Sequence, residues 1–168
     1  MATVNLSDYK PLAISGADGF SIGIVVSEWN DFVTHPLRDG ALEVLLKEGV
    51  QKDRVELFSV PGAFELTYAA MQLAKTGKFD AIIAIGCVIR GETSHFDYVC
   101  SSVAQGIKDC NVLTEVPTVF CVLTDDTKEQ SIARSGGIHG NKGIESGVTA
   151  LQMIDFKRSI DKFAKGLI

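Results

Sequence analysis

Four short, near-continuously apolar runs recur along the chain, at residues 21–27, 55–60, 81–88 and 118–123. Runs of this length and composition, bounded by Gly, Pro and Asp, read as strands covered on both faces. Between and after them lie segments whose apolar residues repeat at helical spacing. These are Leu37, Ala41, Val44 and Leu45; then Leu66, Ala70, Leu73 and Ala74; then Phe96, Val99, Cys100, Val103 and Ile107; and finally Ile144, Val148, Leu151 and Ile154. Alternating strands and helices build a parallel sheet, because each parallel connection needs a crossover long enough to hold a helix. Right-handed crossovers then predict an α/β three-layer sandwich: a four-stranded parallel sheet, flavodoxin-like order 2-1-3-4, with helices on both faces.

Local signals place the boundaries. Thr34 is the expected N-cap of the first helix, with Pro36 in its first turn, and Gly49 and Gly77 supply helix stops. Residues 124–127 offer N-caps for a short helix ending near Arg134. Residues 135–141 (S-G-G-I-H-G-N) read as a flexible connection before a last helix from Lys142 to about Ala164. Residues 1–20 carry no sustained period and are expected to form an extended arm, with residues 21–168 as a single domain. A chain of 168 residues is large enough to bury a full core.

Charge and composition narrow the partners. The formal net charge of −5 argues against nucleic acid and anionic membranes. No apolar run reaches the ~20 residues that span a bilayer, and the amino terminus lacks the pattern of a signal peptide, so a cytoplasmic protein is expected. Cys87, Cys100, Cys110 and Cys121 show no metal-binding spacing, and neither a disulfide nor a metal site is expected.

Parallel strands end at one edge of the sheet, and in open α/β sheets ligands bind there. The loops expected at that edge carry Trp29 and Asn30, then P-G-A-F-E at 61–65, then R-G-E-T-S-H at 90–95, then T-D-D at 124–126. The third is a glycine-containing turn into a helix, where unpaired backbone N–H groups and the helix dipole favour an anion such as phosphate. His95 fits either a surface or capping histidine or a proton-transfer group, since imidazole titrates near pH ~6.5. Trp29 fits either a packing residue at an oligomer contact or a platform for a planar ring, and Phe64 invites the same two readings. Arg134 and Lys142 are either solvated surface charges or cations for a phosphate. Glu65 either complements a helix dipole or accepts hydrogen bonds from a ligand.

Three motifs carry a resemblance. V-P-G-A-F-E at 60–65, G-C-V-I-R-G-E-T-S-H-F-D-Y-V at 86–99 and G-N-K-G at 140–143 stand in the order and spacing of the lumazine synthases, and the likeness extends from about Ser21 to the last helix. The resemblance implies a transferase of riboflavin biosynthesis. It would condense 5-amino-6-(D-ribitylamino)uracil with 3,4-dihydroxy-2-butanone 4-phosphate into 6,7-dimethyl-8-ribityllumazine, releasing phosphate and water, with no metal or organic cofactor. By that likeness Trp29 stacks on the pyrimidine, and Ala63, Phe64 and Glu65 hold the ribityl chain and neighbouring groups. Cys87, Val88 and Ile89 read the pyrimidine edge, Glu92 and Thr93 hold phosphate with Arg134, and Phe120 closes the pocket across a subunit boundary. His95 matches the proton-transfer histidine and Lys142 a basic residue near the substrates. The likeness also implies a homopentamer with sites between neighbours, and the short 135–141 connection goes with pentamers closed into an icosahedral shell. The arm would pair with a neighbour's sheet. Trp29 stands where many relatives carry Phe, a face large enough to suggest riboflavin as a further ligand, and His139 has no counterpart role. A flavin-storage protein and a shell protein without activity are the competing classes.

Overall fold

The computed structural model describes residues 5 and 7–167. In chain order its elements are β1 (Ile22–Ser27), α1 (Asp31–Lys47), β2 (Val55–Val60), α2 (Leu66–Lys75), β3 (Ala81–Ile89), α3 (His95–Thr114), β4 (Thr118–Asp125), α4 (Lys128–Arg134), β5 (Ser135–Gly137), β6 (Gly140–Asn141) and α5 (Lys142–Ala164). The main sheet runs β2-β1-β3-β4 with every pairing parallel, as expected. Ile22 sits between Val55 and Ala81, and Ile82 to Ile89 pair in step with Thr118 to Asp125.

Side chains alternate across this sheet and feed two cores. Ile22, Ile24, Ile83 and Ile85 pack with Leu37 and Leu45 of α1 and Leu151 and Ile154 of α5. Val25, Ile82, Ala84 and Val122 pack on the other face with Leu66 and Ala70 of α2 and Val103 and Ile107 of α3. Full burial of one such aliphatic side chain contributes about 1.5–3 kcal/mol, against about 0–1 kcal/mol for an exposed ion pair. The two apolar layers, rather than the surface charges, therefore hold the frame that aims the loops. No helix among the described residues is long and apolar enough to cross a membrane.

Two local expectations are corrected. The first helix begins at Asp31, after Asn30 in the left-handed conformation (φ 62°), rather than behind a Thr34 cap. Asn tolerates that conformation better than other non-glycine residues. The turn lets β1 pass into α1 within a few residues. Thr34 is left fully buried inside the helix, where its hydroxyl donates to Ser27 C=O at 2.8 Å, and Pro36 lies in the second turn.

The 135–141 stretch is also more ordered than its glycines suggest. β5 and β6 form a small antiparallel hairpin. Asn141 pins its end: the side-chain oxygen accepts from Gly143 N–H at 2.8 Å, and the side-chain amide donates to Pro36 C=O at 2.9 Å. Ser7 completes the junction, donating to Asn141 C=O at 3.1 Å and accepting from its N–H at 2.7 Å.

The described part of the arm packs against its own chain. Tyr9, Leu12 and Ile14 pack on the core, and Leu12 N–H donates to Glu48 at 3.0 Å. Residues 1–4 and 6 of the expected arm fall outside the described residues.

Behind this junction α1 and α5 approach through their backbones. A Cβ on Gly143 would stand 1.8 Å from the carbonyl oxygen of Leu37, so nothing larger than glycine fits unless the helices separate. Gly143→Ala is expected to destabilise the fold by about 2–3 kcal/mol, read as a lower urea midpoint. Gly19→Ala, whose Cβ meets nothing within 4 Å, should change stability by less than about 0.5 kcal/mol.

Burial also acts on the cysteines. It pushes the Cys87 thiol up to about 11 and the Cys121 thiol up to about 12, from an ordinary value of 9.0. Below pH 9 both folded and unfolded chains keep these protons; above it the unfolded chain releases them first, so stability present below pH 9 is lost as the pH rises. The urea midpoint should therefore drop as the pH rises from about 9 through about 11 to 12, and the Cys87→Ser/Cys121→Ser double variant should drop less.

Candidate active site

The candidate side chains gather in two clusters, the first at the expected edge. The first gathers on the loops that leave β1, β2 and β3. Glu28 N–H donates to Val60 C=O at 2.9 Å and Trp29 N–H to Pro61 C=O at 3.0 Å, which extends the β1–β2 pairing past the strand ends. The Trp29 ring lies over Gly62, where a Cβ would come within 2.6 Å of it. Trp29 is 67% exposed, so the outward face of its indole is free to stack on a planar ring. Glu65 folds back on the same turn, its carboxylate accepting from Gly62 N–H at 3.1 Å. Phe64 is exposed beside it, while Ala63 is buried beneath.

Asn30 links this cluster to the central strand by donating to Cys87 C=O at 3.0 Å. Val88 and Ile89 follow, half-buried at the end of β3. Cys87 turns its thiol to the opposite face, within 3.4 Å of the Ser131 hydroxyl. What this segment offers a ligand at Cys87 is therefore backbone rather than sulfur.

Beyond β3 the chain turns into α3 through Gly91, Glu92, Thr93 and Ser94, all exposed. Ser94 places no side-chain hydrogen bond on the first turn of the helix. Thr93 Oγ1 accepts from His95 N–H at 3.4 Å. His95 is the exposed first residue of α3, beside a helix N-terminus suited to an anion. Arg90 clamps the base of the turn. Its guanidinium meets Asp126 at 2.7 Å and Asp97 at 3.1 Å, with its central carbon 4.1 Å from the Phe96 ring centroid.

The second cluster lies along β4, an edge strand with an open side. A groove of about 910 Å³ there is lined by Phe120, Arg134, His139 and Lys142 among others. The hairpin and the start of α5 carry the cations. Lys142 Nζ lies 2.8 Å from both carboxylate oxygens of Glu145. Arg134 donates to Gln130 C=O at 2.9 Å and stands 3.8 Å from Asp125.

The structure thus groups Trp29, Ala63, Phe64, Glu65, Cys87, Val88, Ile89, Glu92, Thr93 and His95 at the carboxyl ends of the first three strands and in the turns that follow them. It places Phe120, Arg134 and Lys142 apart, in the β4 groove. β1 and β4 are separated by two strand spacings, about 10 Å. Sequence reasoning gave no separate role to Asn30, Arg90, Asp125 or Ser131. Asn30 had a signal, an Asn in the short loop between a strand and a helix; burial of Asp125 depends on where β4 ends and left none.

A sequence profile of the family described as 6,7-dimethyl-8-ribityllumazine synthase matches residues 19–158. A 6,7-dimethyl-8-ribityllumazine synthase of Flavobacterium johnsoniae is 53% identical over 149 residues, covering 89% of this chain and 78% of the relative. The enzyme of that name from Christiangramia forsetii is 50% identical over 96% of both chains. The one from Porphyromonas gingivalis is 51% identical over 94% of this chain and 99% of its own. With a matching sheet order, the three motifs at the strand ends and identity of this extent, the chain belongs to the 6,7-dimethyl-8-ribityllumazine synthase family.

Proposed function

We propose that this chain condenses 5-amino-6-(D-ribitylamino)uracil with 3,4-dihydroxy-2-butanone 4-phosphate to give 6,7-dimethyl-8-ribityllumazine. The observation that carries the reading is the family match across residues 19–158, on a parallel sheet whose strands all end at one edge. The 5-amino group of the pyrimidine attacks the ketone and water leaves, giving an imine. Loss of a proton from the adjacent carbon and departure of phosphate follow. The ribityl-bearing nitrogen then closes on the carbonyl so produced, with loss of a further water. Each step is amine–carbonyl chemistry with proton transfers and no net redox change, so the mechanism calls for neither metal nor organic cofactor.

In this reading the pyrimidine stacks on Trp29, and its polar edge meets backbone at Cys87, Val88 and Ile89. The ribityl chain runs along Ala63, Phe64 and Glu65. Phosphate sits at the turn of Glu92 and Thr93 with Arg134, and His95 moves protons beside it. Lys142 stands near the substrates and Phe120 closes the pocket. Placing two reactants side by side supplies much of the rate, and His95 adds roughly 10²–10⁴-fold.

The two clusters favour sites completed between neighbouring chains, with the loops of one chain facing the β4 groove of the next. A cytoplasmic homopentamer, or pentamers closed into a shell, would provide that arrangement. A fully active monomer in light scattering would sink it.

The decisive assay mixes the two substrates with purified protein and a chelator and follows the fluorescent lumazine product; no product overturns the proposal. His95→Ala is expected to lower kcat by roughly 10²-fold or more while the KM for the pyrimidine holds. Loss of pyrimidine binding at unchanged kcat would give His95 another role. Gly62→Ala pushes the indole off its seat, because the added Cβ falls inside the ring's contact distance. It should raise the KM for the pyrimidine several-fold and leave the KM for the phosphate substrate within about 2-fold.

A further inference from the structure

Among the described residues Asp125 is the only charged side chain in the buried class, 8% exposed at the end of β4. A carboxylate withdrawn from water needs fixed partners, and Asp125 has two. The hydroxyl of Ser131, itself fully buried, donates to Asp125 Oδ2 at 2.8 Å. Arg134 Nε stands 3.8 Å from Oδ1.

The direction of the first contact is set from behind. The Cys87 thiol points at the Ser131 oxygen from 3.4 Å, and its burial keeps it protonated and donating. The serine proton is thereby turned towards Asp125. A chain of contacts runs from the central strand through α4 to the face of one arginine. That arginine is held at a second point by the Gln130 carbonyl, 2.9 Å from one of its terminal nitrogens. Its remaining N–H groups are left for the groove, and the side chain, 34% exposed, would otherwise have many rotamers.

We propose that Asp125, aimed by Ser131, is a positioning residue that fixes the Arg134 guanidinium in the orientation that receives the substrate's phosphate. The inference rests on the reading of Arg134 as a phosphate ligand and goes beyond it by naming what orients that ligand. Two effects oppose each other at Asp125. Its charge weakens the local pull on an anion, while its anchoring spares the cost of ordering a long side chain on binding. The buried geometry makes anchoring the larger effect. Ser131→Ala separates the two, because it keeps the charge and releases its aim.

The test is steady-state kinetics on the whole protein, with the KM of each substrate measured separately, for Ser131→Ala and Asp125→Asn in the wild-type and Arg134→Ala backgrounds. Each single variant is expected to raise the KM for the phosphate substrate about 3- to 10-fold and to move the KM for the pyrimidine by less than about 2-fold. Neither should add anything once Arg134 is gone, since coupled residues do not act additively. Asp125→Glu, which keeps the charge and shifts its position, serves where Asp125→Asn fails to fold, and the same rise is expected. A lower KM in Asp125→Asn, equal rises for both substrates, or an undiminished effect in Arg134→Ala would overturn the inference. If Arg134→Ala alone leaves the KM for the phosphate substrate unchanged, the reading of Arg134 falls and this inference with it. If Arg134→Ala raises that KM but the Ser131 and Asp125 variants do not, the positioning role alone falls.

Discussion

Parallel pairing is the constraint from which everything else in this chain follows. Four strands that run the same way must all finish at the same edge, and each crossover must return over a face of the sheet. Both faces are consequently buried, and the free loops are left at one rim. The chain uses that rim economically: the backbone pairing between β1 and β2 continues into Glu28 and Trp29, and that between β3 and β4 continues into Arg90, whose N–H donates to Asp125 C=O at 3.0 Å. The loops at the rim therefore start from a rigid ladder that runs past the strand ends.

Rigidity is passed to the rim by polar contacts of modest individual worth. Asn30 ties the first loop to β3, Glu65 closes the second turn on itself, and Arg90 bridges the third and fourth loops through Asp97 and Asp126. An exposed ion pair contributes less than about 1 kcal/mol to stability. These contacts matter for placement instead: the first holds a loop to the central strand, the second closes a turn on itself, and the third joins two loops.

The sheet was legible because its signal is local. Residues 81–88 can scarcely be anything but a buried strand, and helical stripes such as Leu37, Ala41, Val44 and Leu45 recur wherever a crossover is needed. The misread boundaries are those decided by distant partners. Thr34 looks like a cap until its hydroxyl is seen bonded to Ser27 at the end of β1. Residues 135–141 look mobile because glycine is permissive, yet Asn141 is fixed by Pro36, a hundred residues earlier in the chain. The same distinction runs through the site. Glu92 and His95 could be named from their motif and Trp29 from its place after the first strand, whereas nothing in T-D-D-T says which aspartate is buried. That depends on β4 running to Asp125, where Ser131 and Arg134 meet it.

The meeting of α1 and α5 carries a consequence for how such a site can change over time. At Gly143, and again at Gly147, where a Cβ would stand 3.0 Å from the Ala41 carbonyl oxygen, the two helices touch through main-chain atoms common to all residues. A seam of that kind has no rotamers with which to absorb a neighbour's replacement, and no side-chain chemistry for drift to erode. It acts as a datum for the cationic rim, since Lys142 immediately precedes Gly143 and its place is set by main-chain contact rather than by the side chains around it.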